Sequence, residues 1–309
     1  MLAVDFEVRR REFPVQVCFD LPARQRLALL GASGAGKTTV LAALAGLVRL
    51  GRGQVRLDGE RLAERPGAGG VGLVTQVPAL FPHLTLEQNL LYPRAARRPE
   101  AEELARRLGL EALLHSRPAA LSQGERHRAA LARTLLAGCR LLCLDEPFAA
   151  LDRPLAEELL ELVVEEVDRL PSGGLLVTHR LEEAQAFGQR IGVMHRGRLL
   201  QMGSSEELLH HPISPEVARL FGYRGWLRGP QGVLAVHPDL LREQGGERIP
   251  ARVVSCRPLG GRFDVELEAV GKWEGRMSQY RAAPLVPGAA ITLYAPGPII
   301  FPEVSQEDG

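Results

Sequence analysis

The stretch that decides the fold is GASGAGKTT, residues 31–39. It follows the short apolar run RLALL (26–30) and precedes a helical run, so we expect a loop that joins a strand to a helix. Its spacing fits G-x-x-x-x-G-K-[ST], in which successive backbone N–H groups surround phosphate oxygens at the positive end of a helix. A glycine-rich turn with an incidental lysine is the alternative interpretation, and the flanking strand and helix argue against it.

Two side chains of this phosphate loop have expected roles toward a nucleotide. Lys37 is placed to reach the β- and γ-phosphates, and the Thr38 hydroxyl is a ligand for Mg²⁺. The residues expected to contact the nucleotide from this loop are Gly31, Ala32, Ser33, Gly34, Ala35, Gly36, Lys37, Thr38 and Thr39.

A pair of acids follows an apolar run in RLLCLDEP (140–147). A continuous run of this kind is typical of a strand that is covered on both faces of its sheet. Asp145 is suited to hold Mg²⁺, directly or through water, and Glu146 is suited to polarise an attacking water. Acids at a strand end can merely cap the next turn, but beside a phosphate loop the two elements complete one phosphoryl-transfer site.

Two further polar residues stand at the ends of apolar strands. Gln76 follows VGLVT (71–75), and His179 ends LLVTH (175–179). A lone histidine is more often structural than catalytic. In open α/β sheets, however, ligands bind at the carboxyl ends of strands, so Gly31, Gln76, Asp145 and His179 are expected to converge.

Composition and charge are those of an ordinary globular chain long enough for two domains. The 309 residues carry a formal net charge of +1, so no global field favours nucleic acid or an anionic membrane surface. The spacing of the four cysteines fits no zinc site, and Cys139 and Cys143 are expected to be small buried hydrophobes in a reducing compartment. The beginning of the chain has no signal-peptide core, and the longest apolar run is about half of what spans a bilayer. We therefore expect a soluble chain that reaches any membrane through a partner.

The pattern of elements changes near residue 222. Before it, strands alternate with helices, which predicts an α/β domain with a largely parallel sheet over 1–224 and a helical subdomain over about 78–138. The segment GYRGWLRGPQG (222–232) is interpreted as a linker. Short strands separated by Gly and Pro follow it, and they predict a small all-β barrel or sandwich over 230–309.

Together these motifs resemble the ATP-binding subunits of ABC transporters over about residues 1–222. The residues that carry the resemblance are, in order, the phosphate loop, Gln76, LSQGE (121–125), Asp145–Glu146, ALD (150–152) and His179. The resemblance implies a P-loop NTPase fold of ABC type, with a mixed sheet core, a helical subdomain and the small β domain after it. It also implies an enzyme that hydrolyses ATP with Mg²⁺ to drive transport across a membrane.

The resemblance further implies a homodimer in which two ATPs are sandwiched head to tail. Each ATP would lie between the phosphate loop of one copy and the LSQGE signature of the other. Glu146 would be the catalytic base, His179 the γ-phosphate switch, and Gln76 the sensor of Mg²⁺ and of the attacking water. Asp152 would link the two sites across the dimer.

The signature also has the form of a helix start. Ser122 and Glu125 are spaced as a capping box, and a helix start offers free N–H groups and a positive dipole end to a phosphate. We expect Ser122 to cap the helix in the resting monomer and to turn toward ATP in the closed dimer. Gly124 is expected to approach phosphate closely, whereas Gln123 can point its side chain away and tune closure.

The segment VPALFPHLTLEQNLLYP (77–93) resembles the stretch that receives the coupling helix of a membrane permease. Its apolar residues could instead be local core, and we expect a mixture of the two. These apolar residues are Leu80, Phe81, Leu84, Leu86 and Leu90.

The resemblance also implies the partners of the chain, which are a second copy, permease subunits and, through the permease, a solute-binding protein. These partners would place the chain on the cytoplasmic side of the membrane without a nucleic-acid partner.

The family also carries an aromatic residue near its N-terminus that stacks on adenine. Phe13 is the nearest candidate in this chain. Phe6 and Phe19 are alternatives, and strand aromatics usually belong to the core.

Residues 230–309 resemble, more weakly, the TOBE domain of importer ATPases for molybdate, sulfate, polyamines, sugars or ferric iron. A regulatory ligand site and a dimer-stabilising spacer both stay open as its role. The compact N-terminal part and the final Glu125 of the signature resemble those of molybdate-type importers, and this resemblance implies molybdate or another oxyanion as the cargo. The segment HPDLL (237–241) is shared with polyamine, sugar and iron systems, which stay as alternatives.

Two other classes compete with an importer ATPase. A soluble ABC ATPase acting on ribosomes or DNA would predict tandem cassettes, a long coiled-coil insertion or a basic surface, whereas this sequence has one cassette and a net charge of +1. A degenerate regulator would have lost Lys37, Glu146 or His179, and all three are present.

Overall fold

The computed structural model describes residues 1–62, 69–149 and 151–302. The chain divides into two compact units, Met1–Ser205 and Glu206–Gly309. The first unit is built on a ten-stranded sheet, and the second contains two small sheets. Within the described ranges, no helix is both long enough and apolar enough to cross a membrane.

The ten-stranded sheet of the first unit is mixed. Its strands are β1 (Leu2–Val8), β2 (Val15–Leu21), β3 (Arg26–Leu30), β4 (Arg52–Leu57), β5 (Glu60–Arg61), β6 (Val71–Val74), β7 (Leu141–Asp145), β8 (Gly174–Thr178), β9 (Arg190–His195) and β10 (Arg198–Gly203). They lie in the order β5-β4-β1-β2-β10-β9-β3-β8-β7-β6. The run from β9 to β6 is parallel throughout, and β4, β1 and β2 form an antiparallel ribbon. The fold class expected from the sequence, a mixed sheet core, is confirmed.

The α-helices that accompany this sheet in the described part of the first unit are α1 (Lys37–Leu44), α2 (Leu86–Leu90), α3 (Arg98–Arg107), α4 (Gln123–Leu136), α5 (Arg153–Asp168) and α6 (Leu181–Phe187). Three of them, α2 to α4, fall between β6 and β7, within the stretch 78–138. Each of the helices α1, α5 and α6 follows a parallel strand, as crossover connections require.

Burial follows the hydrophobic pattern of the strands. All five residues of β7 are buried, as the continuous run LLCLD predicts for a central parallel strand. Strand β2 instead alternates between buried and exposed residues, because only one of its faces is covered. Burial raises the pKa of Cys139 to about 11 and raises that of Cys143 as well, so both thiols stay protonated and pack as hydrophobes.

The second unit is mainly antiparallel. Helices α7 (Ser205–His210) and α8 (Pro215–Leu220) precede its strands in the sequence. One sheet has the order β11-β12-β17 and the other β15-β14-β13-β16, and Trp273 lies in their core with its indole N–H donating to Glu247 Oε1 at 2.8 Å. The strands are β11 (Gly225–Gly229), β12 (Gly232–Val236), β13 (Glu247–Leu259), β14 (Arg262–Ala269), β15 (Gly275–Arg281), β16 (Ala290–Ala295) and β17 (Ile299–Phe301).

The interpretation of residues 222–232 as a linker is wrong. This segment contains β11 and the first residue of β12. Its glycines permit close packing: a Cβ at Gly229 would lie 2.4 Å from the Trp273 ring, and one at Gly225 would lie 2.7 Å from Met277 Cβ. Glycine here marks the close approach of a large neighbour and not a flexible connection.

The division between the units lies at Ser205–Glu206, whereas the sequence pattern places it near 224. The reason is the packing of α7 and α8, which the sequence analysis did not predict. Leu209 and Ala218 from these helices pack with Tyr223 and Phe301 in a small apolar cluster of the second unit. The Tyr223 hydroxyl also donates to the Leu209 carbonyl at 2.7 Å.

Candidate nucleotide-binding site

The phosphate loop leaves β3 at Leu30 and enters α1 at Lys37. A Cβ at Gly31 would lie 2.4 Å from the Met194 carbonyl oxygen, so only glycine lets the loop pass strand β9 at this distance. Gly34 and Gly36 adopt φ values of 81° and 100°, and Gly36 is the N-cap of α1. The loop therefore turns back on itself so that the start of α1 faces its interior, as a phosphate cradle requires.

Lys37 points into the cradle. Its ammonium group donates to the carbonyls of Gly31 at 2.8 Å and Ala32 at 2.9 Å, and it lies 4.0 Å from Glu146 Oε1. The residue is 4% exposed. Burial lowers its pKa, while the nearby carboxylates of Glu146 and Asp145 act in the opposite direction. The positively charged ammonium group of Lys37 thus lies inside the cradle and donates to the backbone of the loop.

Thr38 and Asp145 form a second contact at the carboxyl end of β7. The Thr38 hydroxyl donates to Asp145 Oδ1 at 3.0 Å. Burial raises the pKa of Asp145, the hydrogen bond from Thr38 lowers it, and Glu146 raises it further. A hydroxyl and a carboxylate are the hard oxygen donors that Mg²⁺ takes in phosphoryl-transfer sites, together with phosphate oxygens. These two residues therefore fit that ion, although the described residues contain no cluster of three or more His, Cys, Asp or Glu that could hold a metal by themselves.

Glu146 and His179 meet between the ends of β7 and β8. His179 Nδ1 lies 3.2 Å from Glu146 Oε2. Glu146 has φ = 45°, a left-handed backbone conformation that residues other than glycine rarely adopt. Its N–H donates to the Val177 carbonyl at 3.0 Å. The backbone is thus held in a costly conformation that brings the carboxylate to Lys37 on one side and to His179 on the other.

Gln76 lies two residues beyond the end of β6 and is exposed. Within the described residues its side chain makes no hydrogen bond to the Lys37–Glu146–His179 cluster. Its backbone carbonyl instead lies 3.1 Å from Nε2 of His127 on α4. No motif in the sequence indicates this contact with His127.

The signature begins α4 through the predicted capping box. Ser122 Oγ accepts from the Glu125 N–H at 3.3 Å, and Glu125 Oε2 accepts from the Ser122 N–H at 2.7 Å. The hydrogen bond from the Ser122 backbone lowers the pKa of Glu125. Ser122 and Gln123 are exposed, whereas Gly124 is buried.

Gly124 has a packing role that the sequence analysis missed. A Cβ at this position would lie 2.6 Å from Leu155 Cδ2 and 3.6 Å from Leu151 Cδ2. Leu155 belongs to the first turn of α5, and Asp152 caps that helix by accepting from the Leu155 N–H at 3.1 Å. The signature helix and the Asp152 region are therefore in direct contact within one chain. Ala150, the first residue of the ALD motif, lies outside the described residues.

Phe13 lies in the loop between β1 and β2, half-buried, where it lines one cavity with Gly34 and residues 9–12. Phe6 and Phe19 are 2% and 5% exposed and belong to the core, which leaves Phe13 as the aromatic residue beside the phosphate loop. Arg10 of the same loop donates to the Thr39 hydroxyl, a contact that the sequence analysis did not predict.

The segment 77–93 contains both buried and surface side chains, and its contact with a permease stays a prediction. Leu86 and Leu90 are fully buried, and the buried Asn89 accepts from the Phe81 N–H at 2.8 Å. Side chains that stay half-buried or exposed are Val77, Leu80, Phe81, Leu84 and Tyr92.

The shape of the loop at 31–39 suits a phosphate group. This fold and this loop together define the class of P-loop nucleotide-binding proteins.

Comparison with known proteins narrows this class. The family described as ABC transporter matches residues 15–149. The molybdate/tungstate import ATP-binding protein of Pyrococcus abyssi is 36% identical over 71% of this chain and 66% of its own length. The putrescine transport ATP-binding protein of Escherichia coli is 39% identical over 69% of this chain and 60% of its own length. The sulfate/thiosulfate import ATP-binding protein of Synechocystis is 38% identical over 80% of this chain and 78% of its own length.

A solved structure agrees with these relatives. The structure of an ATP binding subunit of an ABC transporter matches with a TM-score of 0.61 and 28% identity, over 71% of this chain and 97% of that chain. The chain belongs to the ABC transporter family, among its ATP-binding proteins, and the family predicted from the sequence motifs is confirmed. The chain spans less than two thirds of the Pyrococcus and Escherichia relatives, at 66% and 60% of their lengths.

Proposed function

We propose that the chain binds and hydrolyses ATP with Mg²⁺ and so energises an ABC importer. The observation that carries the proposal is the convergence of Lys37, Asp145, Glu146 and His179 at the carboxyl ends of neighbouring parallel strands. Lys37 and His179 each lie within 4.0 Å of a Glu146 oxygen. The left-handed backbone of Glu146 also supports the proposal, because residues in sparsely populated conformations cluster at active sites.

Each residue of the cluster has a task in phosphoryl transfer. The Lys37 donors and the N–H groups of the loop would bind the β- and γ-phosphates and stabilise the charge that develops on them. Thr38 and Asp145 would hold Mg²⁺, which neutralises phosphate charge when bound. Glu146 would accept the proton of the attacking water on its carboxylate, and His179 would orient that carboxylate and contact the γ-phosphate. Catalysis is then mainly positioning and charge stabilisation.

The site also needs a second copy of the chain. Ser122 and Gln123 lie at an exposed helix start. The capping box occupies the N–H groups of Ser122 and Glu125, so the first-turn N–H groups of Gln123 and Gly124 would serve a phosphate presented by a partner. We propose a head-to-tail homodimer in which the signature of one copy covers the nucleotide of the other. Asp152 is exposed beside the signature helix and would link the two sites.

The partner in the membrane would be a permease. The half-buried and exposed apolar residues of 77–93, with Val77 at 77% and Tyr92 at 61% exposure, would receive its coupling helix. The chain would then lie on the cytoplasmic side of the membrane, with a solute-binding protein acting through the permease and with no nucleic acid involved.

Purified protein tests this proposal directly. We expect Mg²⁺-dependent ATP hydrolysis that rises when the chain is reconstituted with its permease in liposomes. Tight binding to ribosomes or DNA, with hydrolysis only in their presence, would instead support the soluble ABC class.

For the cargo we propose an oxyanion such as molybdate. The final Glu125 of the signature supports this, and two of the relatives are named for molybdate/tungstate and sulfate/thiosulfate. The Escherichia relative is named for putrescine at a similar identity, so a polyamine is the second candidate, ahead of a sugar or ferric iron. Reconstituted transporter with its solute-binding protein should show hydrolysis stimulated by molybdate or sulfate. Stimulation by putrescine alone would reverse the order.

For the second unit we propose a TOBE-like role. Its two antiparallel sheets over 225–301 suit a small β domain of that kind. A thermal-shift screen of the chain with oxyanions would separate a regulatory site from a spacer, because only a bound ligand raises the melting temperature.

A further inference from the structure

His127 is a buried histidine that the proposed ATPase chemistry does not use. It lies on α4 and is 2% exposed. Its Nδ1 is 3.0 Å from the carbonyl oxygen of Gln123, and its Nε2 is 3.1 Å from the carbonyl oxygen of Gln76. One ring therefore joins the backbone of the signature to the backbone of Gln76, the expected sensor of Mg²⁺ and of the attacking water.

Both partners of the ring are acceptors. A neutral imidazole has one N–H, so it donates to one carbonyl, whereas a ring protonated on both nitrogens donates to both. The Gln123 contact is local, since residues 123 and 127 are one turn apart on the same helix. The Gln76 contact is the one that ties two segments 51 residues apart, and it requires a hydrogen on Nε2.

A second contact from α4 strengthens the tie. Arg133 donates to the Ala79 carbonyl, and its guanidinium lies 5.0 Å from the centre of the Phe81 ring. The segment 76–81 is thus held by α4 at two points, whereas the strand that leads into it, β6, ends at Val74. Displacement of α4 would therefore move the Gln76 backbone with it.

We infer that His127 is a positioning residue that sets Gln76 relative to the signature helix. A change at the signature, such as engagement with a second copy, would reach Gln76 through Nε2 without touching the nucleotide. The kinetic part of this inference rests on the proposed ATPase function, and the structural part does not.

Two substitutions separate the two ring contacts. The side-chain nitrogen of Asn stands near the position of histidine Nδ1, and that of Gln stands near the position of Nε2. His127→Gln should therefore keep a donor for Gln76, and His127→Asn should keep a donor only for Gln123. Thr134→Val is the matched control on α4, because the Thr134 hydroxyl donates within its own helix, to the Ala130 carbonyl at 2.8 Å.

Hydrogen exchange gives a readout that does not depend on catalysis. The Leu80 N–H donates to the Pro78 carbonyl at 3.1 Å and the Phe81 N–H donates to Asn89, so these amides report on the order of the segment. We expect exchange at both to rise about tenfold in His127→Asn, the effect of one lost hydrogen bond, and to stay near wild type in His127→Gln and Thr134→Val. Equal exchange in all four proteins would overturn the inference.

The kinetic test is a double-mutant cycle with Gln76→Ala. If His127 acts through Gln76, His127→Asn should lower kcat about tenfold in the wild type and have little further effect in Gln76→Ala. Additive losses of kcat would show that His127 acts independently of Gln76, and a lower melting temperature with unchanged kcat would show that it serves only stability. Either result would refute the positioning role. Absence of ATPase activity in the wild type would reject the proposed function, and the exchange experiment would still decide the structural part.

Discussion

The burial of Gly124 predicts that a side chain at this position of the signature destabilises the protein, whereas one at the exposed neighbouring position does not. An alanine Cβ at Gly124 would lie 2.6 Å from Leu155 Cδ2. Leu155 must then retreat by roughly 1 Å, because carbon atoms in contact lie about 3.5–4.0 Å apart. Overpacking of a buried site costs about 1–3 kcal/mol, and replacing Gly by Ala inside a helix returns at most about 1 kcal/mol. We expect Gly124→Ala to destabilise the first unit by about 1 kcal/mol.

Gln123→Ala is the matched control, since Gln123 is the preceding residue and is exposed. It should change stability by less than about 0.5 kcal/mol. Urea unfolding followed by far-UV circular dichroism is the suitable assay, because the chain's two tryptophans, Trp226 and Trp273, both belong to the second unit. Leu155→Ala makes room for the new methyl group, so Gly124→Ala should cost about 1 kcal/mol less in that background.

The same substitution has a consequence for catalysis. Movement of Leu155 shifts the first turn of α5, which Asp152 caps, so Gly124→Ala should also lower ATP hydrolysis while Gln123→Ala and Gln123→Gly change it only a few-fold. If Gly124→Ala matched the wild type in stability and activity while Gln123→Gly raised activity by orders of magnitude, the roles assigned to the two positions would be reversed.

Other substitutions test the chemistry of the site. Lys37→Met should weaken ATP binding by about thirtyfold or more, since charged hydrogen bonds contribute about 1.5–3 kcal/mol each, and leave AMP binding unchanged; equal losses for ATP and AMP by calorimetry would contradict the β/γ-phosphate role. Glu146→Gln should abolish turnover but retain an ATP-bound dimer, and a monomer in ATP by light scattering would refute this. Burial raises the pKa of Asp145, so its carboxyl group stays protonated to a higher pH in the folded chain than in the unfolded chain. The free energy of unfolding therefore falls as the pH rises from about 4 through the raised pKa. Asp145→Asn should remove this loss, and an unchanged pH dependence of urea unfolding would contradict it.

The parts of the fold that the sequence predicts are those with a strong local pattern. Strand β7 is a continuous apolar run, and apolar and polar residues alternate along β2, so both strands are predicted by their sequences alone. The segment 222–232 was wrongly predicted to be a linker, because glycine is common in flexible segments and also at sites of close packing. Here its small size lets Trp273 and Met277 pack against the backbone. Which use applies depends on residues about 45 positions later in the chain, as Gly229 and Trp273 show, and no local pattern contains that information.

The candidate site shows the same limit. The phosphate loop and the acids of β7 can be located because motif spacing and strand ends determine their place. The contacts of His127 with Gln76 and of Arg10 with Thr39 could not be predicted, since each joins residues from separate elements without a motif. A histidine in the middle of an amphipathic helix gives no sign of its partner until the packing of that helix is known.

The position of β3 in the sheet has a consequence for how the protein is made. Its two neighbours, β8 and β9, begin at Gly174 and Arg190, and Ala35 of the loop accepts a hydrogen bond from Gly197. At roughly 5–20 residues per second, a ribosome needs about ten to thirty seconds to get from the loop to Gly197. During that time the nascent chain carries β3 without its two neighbouring strands and the glycine-rich loop without its contacts to Met194 and Gly197. The loop that decides the fold is therefore synthesised early and is among the last parts of the first unit that can take its native form.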